Sequence, residues 1–434
     1  MRSRNDQMSL LRSALAFRTL RRRPRLPDSA LRELQYRKLS RLLRHAYSQV
    51  PYYRQLFDAG RIRPEDIRTL NDVRHIPVTR RQIYRGVPAE ERLAAGSERE
   101  RLIVRRTSGS TGIPLSVYFT PQELALHALL TLRSEVEVGV GLTDHLAMMG
   151  PPGQEYGANW LASVGVLRKT FVNVLEDVTT RVSHFRRLRP DALVGAASQI
   201  RLLAQGMRDQ SILDVRIDRV FAHSGPLFDE ARALIGSAFG AEVFSRYDTW
   251  ETHLVGWECE RHDGWHIDCD HVLLECLEDG RPATGSGEVV VTNLDTYAMP
   301  IIRYALDDVA TLEPDPCVCG RTFPRLQAIH GRLSDVLLLP DGRRLDFLVM
   351  SLIFRDLEAV AQYRVVQESL DSFRLEIVPA RGFTLASLHP VVARFHEQCG
   401  ADLLLRVVIR DQMDMSTSAK WRFLVSEVPG GNRS

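Results

Sequence analysis

Between residues 146 and 244, short apolar runs alternate with amphipathic stretches at helical spacing, and this rhythm constrains the fold more than any other feature. The runs 146–149, 192–195, 219–222 and 242–244 read as strands, and 180–188, 198–209 and 228–238 as helices. Strand followed by helix, repeated, implies a largely parallel sheet wound with helices on both faces. A chain of 434 residues, 44% hydrophobic and 26% charged, has room for one large domain with appendages or for two to three domains.

The flanks read differently. In 28–58, Leu31, Leu34, Leu39, Leu42, Leu43 and Tyr47 recur near helical spacing, and Pro51 is expected to stop the run. Residues 100–106 look like a strand entering a Ser/Thr/Gly loop, and 121–137 like a helix. From about 254, alternating stretches such as 272–276 and 288–292 suggest antiparallel strands. The last segment, 336–434, carries its own small α/β pattern: a hairpin at 337–345, strands at 363–367 and 372–378, and a helix at 385–399. Neither an internal repeat nor a low-complexity segment is present.

Charge and hydropathy exclude some partners. The formal net charge of +3 is small against 57 basic and 54 acidic residues, so nucleic acid is not expected as a partner. No stretch reaches the roughly 18 apolar residues of a membrane span. The start, 1–25, is basic and lacks a clean apolar secretory core, so the chain is expected to be cytoplasmic with a solvated tail. Only Lys38, Lys169 and Lys420 are lysines; every other basic residue is arginine. A lysine in such a chain invites the question of why it is there.

Two motifs carry chemistry. In Thr107-Ser108-Gly109-Ser110-Thr111-Gly112-Ile113-Pro114, glycines let backbone N–H groups approach an anion and hydroxyls add donors without bulk, which suits a phosphate. The Gly-Lys-[Ser/Thr] of a Walker loop is absent. Five of the six cysteines fall between Cys259 and Cys319. Cys317-Val318-Cys319 is a tight knuckle, and Cys259 lies upstream with His262 and His266 close behind it. Three thiolates and one imidazole would complete a tetrahedral Cys₃His zinc site. Such a closed set has no open position, which makes it structural. Cys269 and Cys276 read as buried strand residues.

The glycine loop resembles the phosphate-binding motif of the adenylate-forming superfamily of acyl-CoA synthetases and adenylation domains. Pro51-Tyr52-Tyr53-Arg54, after a helical lead-in at 28–70, is similar to the compact phenylacetate–coenzyme A ligase branch. The resemblance runs in order from about residue 30 to 428. It implies an α/β fold: a large N-terminal adenylate-forming domain (1–330, doubly wound sheets plus an antiparallel subdomain), a hinge at 331–335, and a small mobile C-terminal α+β domain at 336–434.

It also implies roles. Thr107, Ser108, Gly109, Ser110, Thr111 and Gly112 would hold the phosphates of ATP. Tyr247-Asp248-Thr249-Trp250-Glu251 resembles the family's Tyr-Gly-x-Thr-Glu, with Tyr247 lining the adenine site and Glu251 holding Mg²⁺; Asp248 and Trp250 depart from it. In the segment ending Asp307-Asp308, Asp308 would accept both ribose hydroxyls, and Asp307 stands where the family has glycine. Gly331-Arg332-Leu333-Ser334-Asp335 resembles the hinge motif, with Arg332 on ribose or phosphate. Ser416-Thr417-Ser418-Ala419-Lys420 resembles the terminal lysine motif, with Ala419 in place of glycine. Lys420 would place a compact ammonium between the acyl carboxylate and the α-phosphate as two anions meet. For the metal set, the branch's Cys…Gly-x-His pattern selects His266, after Gly264, over His262.

The expected enzyme is an acid–thiol ligase. It activates a small-molecule carboxylic acid with ATP to an acyl-adenylate and passes the acyl group to coenzyme A. The acyl pocket is expected near 148–160, 195–198, 224–226 and 247–252, with Tyr156, Trp160 and Trp250 suited to an aryl or related acid. Other readings transfer the adenylate to a carrier-protein thiol or an amine, or treat Asp248, Asp307 and Ala419 as marks of a non-catalytic member. The sequence leaves the oligomeric state open.

Overall fold

The computed structural model describes residues 14–106, 115–150, 165–332, 337–341, 343–345, 353, 360–380, 382–411, 413 and 424–428. The chain forms two compact units. The first takes 1–141, 246–306 and 310–328; the second takes 142–245, 307–309 and 329–434.

After a helical stretch at 14–22, the first unit continues with helix Asp28–Gln49. Pro51 does end that helix, but it also begins the next, Pro51–Ala59. Its fixed φ and missing N–H fit the first helical position, so a proline read as a stop is equally a start. Leu39, Leu42, Leu43, Ala46, Tyr53 and Phe57 bury against Leu294 and Ile302. Helix Pro121–Glu137 starts where the sequence placed it. Thr120 Oγ1 accepts from the Glu123 N–H, and Glu123 Oε2 accepts from the Thr120 N–H. This reciprocal cap satisfies two otherwise orphaned donors. Oε1 of Glu123 also accepts from the N–H groups of Tyr297 and Ala298 at 2.6 and 3.0 Å, joining the helix start to the sheet connection.

The strands of this unit are antiparallel where their pairing is resolved. Val272–Glu278 lies between Arg281–Pro282 and Ser286–Asn293. Trp265–Ile267 lies between His253–Trp257 and Arg325–Arg332. Alternation at 272–276 and 288–292 foreshadowed two of these strands. Cys276 is a buried strand residue, whereas Cys269 is buried in a turn.

The second unit holds the parallel sheet. Its order is Arg168–Asn173, His145–Gly150, Ala192–Ala196, Arg219–His223 and the start of Glu242–Thr249. The helices Val178–Leu188, Ala197–Asp209 and Asp229–Phe239 alternate with these strands, as the rhythm predicted. Val182, Phe185, Ile200, Leu203, Ile235 and Phe239 form the core beside the sheet. Arg168–Asn173, interrupted by charge, was not anticipated.

The C-terminal segment has a four-stranded sheet ordered Leu404–Ile409, Ser372–Pro379, Val360–Gln367, Leu424–Ser426. Helix His389–Cys399 packs Val391 and Phe395 onto Phe373 and Leu375. The hairpin pairs Leu337 with Leu345. The architecture is α/β: a doubly wound parallel sheet, antiparallel strands and a small α+β C-terminal segment.

Candidate functional site

The strand Glu242–Thr249 turns through 250–252 into His253–Trp257. Tyr247 pairs with Gly256 but Asp248 with Leu254, so the register slips between them. Such a bulge re-aims the residues that follow it. Thr249 Oγ1 accepts from the Thr252 N–H at 3.1 Å, closing the turn. Glu251, at its tip, has a side chain only 2% exposed. A carboxylate cannot sit there without compensation. Arg81 supplies it: Nη2 donates to Glu251 Oε1 at 2.8 Å, and Nε donates to the Tyr304 hydroxyl at 3.3 Å. Tyr247 is buried and Trp250 half-buried. Asp248 lies 3.7 Å from Arg246, whose Nη1 donates to the buried Glu135.

The Asp308 strand is positioned by its own lead-in. Tyr53, from the Pro-Tyr-Tyr-Arg segment, donates its hydroxyl to the Pro300 carbonyl at 3.1 Å and accepts from the Ile302 N–H at 2.9 Å. The buried Arg303 grips both oxygens of Glu275, at 2.9 and 2.8 Å. Asp307 then adopts φ +61°. This is the left-handed region that favours glycine and that aspartate tolerates better than most residues. The glycine of the family pattern thus answers a backbone requirement that Asp307 meets under strain. Asp308 is half-buried. Gly331 takes φ +95° near the end of strand Arg325–Arg332, while the Arg332 side chain lies outside the described residues. Thr107, Ser108, Gly109, Ser110, Thr111, Gly112, Tyr156, Trp160, Ser334, Asp335 and Lys420 also lie outside them.

The cysteine cluster is assembled by register. His266 sits opposite Trp257 on one side and Arg325 on the other. That places it beside the knuckle preceding Arg325–Arg332. The donor atoms of Cys259, His266, Cys317 and Cys319 lie within 4.8 Å of one another. Cys259 Sγ is 3.8 Å from Cys317 Sγ, and Cys319 Sγ is 3.3 Å from His266 Nε2. Around a tetrahedral Zn²⁺, such edges measure about 3.8 Å between sulfurs and about 3.6 Å between sulfur and nitrogen. A disulfide would need about 2.05 Å. His266 Nδ1 is 3.0 Å from the Phe323 carbonyl, so it carries the proton and leaves Nε2 as the donor atom. Gly264 makes the approach possible: at φ +81°, an added Cβ would meet the Leu326 carbonyl oxygen at 2.2 Å. His262 instead faces Glu258 at 3.4 Å.

The neighbouring groups act differently on each donor. Burial pushes the Cys259 thiol up to about 12, whereas the Arg321 backbone and guanidinium reverse burial's effect on Cys319 and lower it. Desolvation holds His266 down to about 4, which keeps its imidazole neutral. Arg321 is itself fixed by Glu137 at 2.9 Å and by both oxygens of Glu260, with its guanidinium 5.5 Å from the Trp257 ring centroid.

Sequence reasoning missed Arg81, one arginine among many with no motif to mark it. It also missed the partners of Lys38, although the rarity of lysine had marked Lys38 itself. Lys169 is exposed on a strand of the parallel sheet.

No protein-family model matches the chain. The phenylacetate–coenzyme A ligase of Thermus thermophilus is 29% identical over 381 residues, covering 82% of this chain and 83% of that protein. That of Escherichia coli is 30% identical over 329 residues, covering 71% and 72%. Among solved structures, 2-hydroxyisobutyryl-CoA ligase in the postadenylation state, in complex with 2-HIB-AMP, superimposes with a TM-score of 0.79 at 19% identity, covering 94% of this chain and 91% of that one. The same ligase with 2-HIB-AMP and CoA in the thioesterification state gives 0.65 at 20% identity, covering 94% and 92%. With this fold and with sequence similarity across seven-tenths or more of its length, the chain belongs to the phenylacetate–coenzyme A ligase family.

Proposed function

We propose that this chain activates a carboxylic acid with ATP and joins it to coenzyme A. In the first half-reaction the carboxylate oxygen attacks the α-phosphorus and pyrophosphate leaves. In the second, the thiol sulfur attacks the acyl carbon and AMP leaves. The observation that carries the reading is the family membership, together with a carboxylate, Glu251, buried at the tip of the turn where the family motif falls.

Glu251 would hold Mg²⁺ at the phosphates. Its Oε1 accepts from Arg81, and Oε2 has no partner among the described residues, so one oxygen is anchored while the other is available to a hard cation. Tyr247 would line the adenine, and Asp308 with Arg332 would hold ribose. Thr107 to Gly112 would hold the phosphates. Lys420 would bring its ammonium between carboxylate and α-phosphate, and rotation of 336–434 about 331–335 would withdraw it for thioester formation. Trp250 supports an aryl or related acid. Cys259, His266, Cys317 and Cys319 would hold one Zn²⁺, which bound there is a structural clip. The ion would fix the knuckle to the strand Trp265–Ile267, near the end of His253–Trp257 remote from Glu251. The chain is placed in the cytoplasm on this reading; among the described residues no helix is long and apolar enough to cross a membrane.

The test is pyrophosphate release over a panel of carboxylic acids, with and without coenzyme A. Aryl acids are expected to give acyl-CoA and AMP. Lys420→Ala should cut adenylation by roughly 10²- to 10³-fold, the scale of losing one preorganised charge-stabilising group. Pyrophosphate release without any acyl-CoA would move the acceptor to a carrier-protein thiol or an amine. No release with any acid, and no effect of Lys420→Ala, would identify a non-catalytic member.

A further inference from the structure

The turn that carries Glu251 is held by a partly buried chain of polar groups. His271 is 0% exposed. Its Nε2 is 3.0 Å from the Thr252 carbonyl oxygen, and its Nδ1 is 3.1 Å from Asp295 Oδ2. Lys38, on helix Asp28–Gln49, donates to the same Asp295 oxygen at 2.7 Å and to the Asp270 carbonyl at 2.7 Å. The chain therefore runs from Lys38 through Asp295 and His271 to Thr252, the residue after Glu251.

Both atoms facing the imidazole are acceptors. A carbonyl oxygen has no proton to give. Burial would raise Asp295, but His271 and Lys38 together hold it below the usual carboxylate range, so it is ionised. A neutral imidazole has one donor and one acceptor nitrogen, and would set a lone pair against one of these oxygens. An imidazolium satisfies both. The other groups facing the ring are His127 on helix Pro121–Glu137, His253 after the turn, and Asp268. The His127 ring centroid lies 5.0 Å from that of His271 and 4.1 Å from that of His253. Among the described residues, neither ring nitrogen of His127 has a hydrogen-bond partner, nor has His253 Nε2. These two rings form a neutral wall, and Asp268 and Asp295 are the nearby anions.

We propose that His271 is a doubly protonated positioning residue which, held by Lys38 and Asp295, sets the height of the 249–252 turn and so of the Glu251 carboxylate. This deepens the magnesium reading of Glu251 and rests on it. It also gives Lys38 a part to play: its compact ammonium donates to a carbonyl and a carboxylate oxygen from a single atom.

Two measurements decide it. In ¹⁵N-histidine-labelled protein near neutral pH, one-bond N–H correlations are expected on both ring nitrogens of the residue whose signals vanish in His271→Gln. A ring nitrogen without a proton overturns the imidazolium. In steady-state assays, His271→Gln and Lys38→Met should raise the Mg²⁺ concentration for half-maximal rate about tenfold, with kcat preserved at saturating Mg²⁺. Gln keeps one donor, so it should fall between the parent and His271→Leu. Folded variants with unmoved Mg²⁺ dependence overturn the positioning role. Glu251→Gln separates the two ideas: if it leaves Mg²⁺ dependence unchanged, the magnesium reading and the link to it fail, while the spectrum still decides the state of His271.

Discussion

Asp307 shows how one residue can record a backbone demand. Its φ of +61° places a β-carbon in a region where only glycine is unstrained. Asp307→Gly removes that carbon, whereas Asp307→Ala keeps it and loses the polar side chain that makes the conformation tolerable. The alanine variant is expected to be about 1 kcal/mol less stable than the glycine variant, read from urea denaturation midpoints. Comparing the two variants with each other cancels the loss of the aspartate's own contacts. Arg81 makes a related point. Its guanidinium leaves Glu251 buried yet compensated, so the carboxylate is preset before any ligand arrives.

Among the elements, the strand His253–Trp257, the short strand Trp265–Ile267 and the cysteine knuckle act together. The knuckle is also tied to the start of the chain: Thr322 N–H donates to the Pro24 carbonyl at 2.7 Å, and its hydroxyl donates to that of Leu26 at 2.6 Å. Arg321 and Arg25 both reach Glu137, at 2.9 and 2.8 Å. Elemental analysis is expected to find about one zinc per chain. Removing zinc held at 100-fold over its dissociation constant should cost about 2.7 kcal/mol, seen as a lower unfolding midpoint after chelation. Cys317→Ser should lose both the metal and the chelator effect.

At the scale of the whole molecule, stability depends on charges kept out of water. Arg133 is completely buried, with Asp270 at 2.8 Å and Asp268 also in contact, and Arg23 reaches Asp270 at 2.9 Å. Burial pushes Asp268 up, while Arg133, with Arg23 and Lys38, overrides burial and holds Asp270 below the usual range. Histidines add a pH dependence. Desolvation first, and neighbouring charge second, lower His127 well below 6.5 and His253 to about 3. Both rings are neutral when folded and take up protons when unfolded. Below pH 6.5 the unfolded chain therefore binds more protons, and stability drains as pH falls from 6.5 toward about 3. The expected slope approaches about 1.4 kcal/mol per pH unit for each ring, measured by denaturation at a series of pH values. His127→Phe should flatten it.

What the sequence determined unaided was whatever is local or periodic. The strand–helix rhythm pointed to the parallel sheet, 121–137 read as a helix, and the resemblance to the ligase branch, through its Gly-x-His pattern, selected His266. Scarcity pointed to Lys38 without naming its partners. Tertiary structure alone decided that Arg81 meets Glu251, 170 residues away, that Asp307 turns left-handed, and that Lys38, Asp295 and His271 join under one turn. The physical reason is that periodicity reports which face of an element is apolar, whereas a buried ion finds its counter-ion only after those faces have packed. Such pairing depends on sheet register and layer contact, and no short stretch of residues contains either.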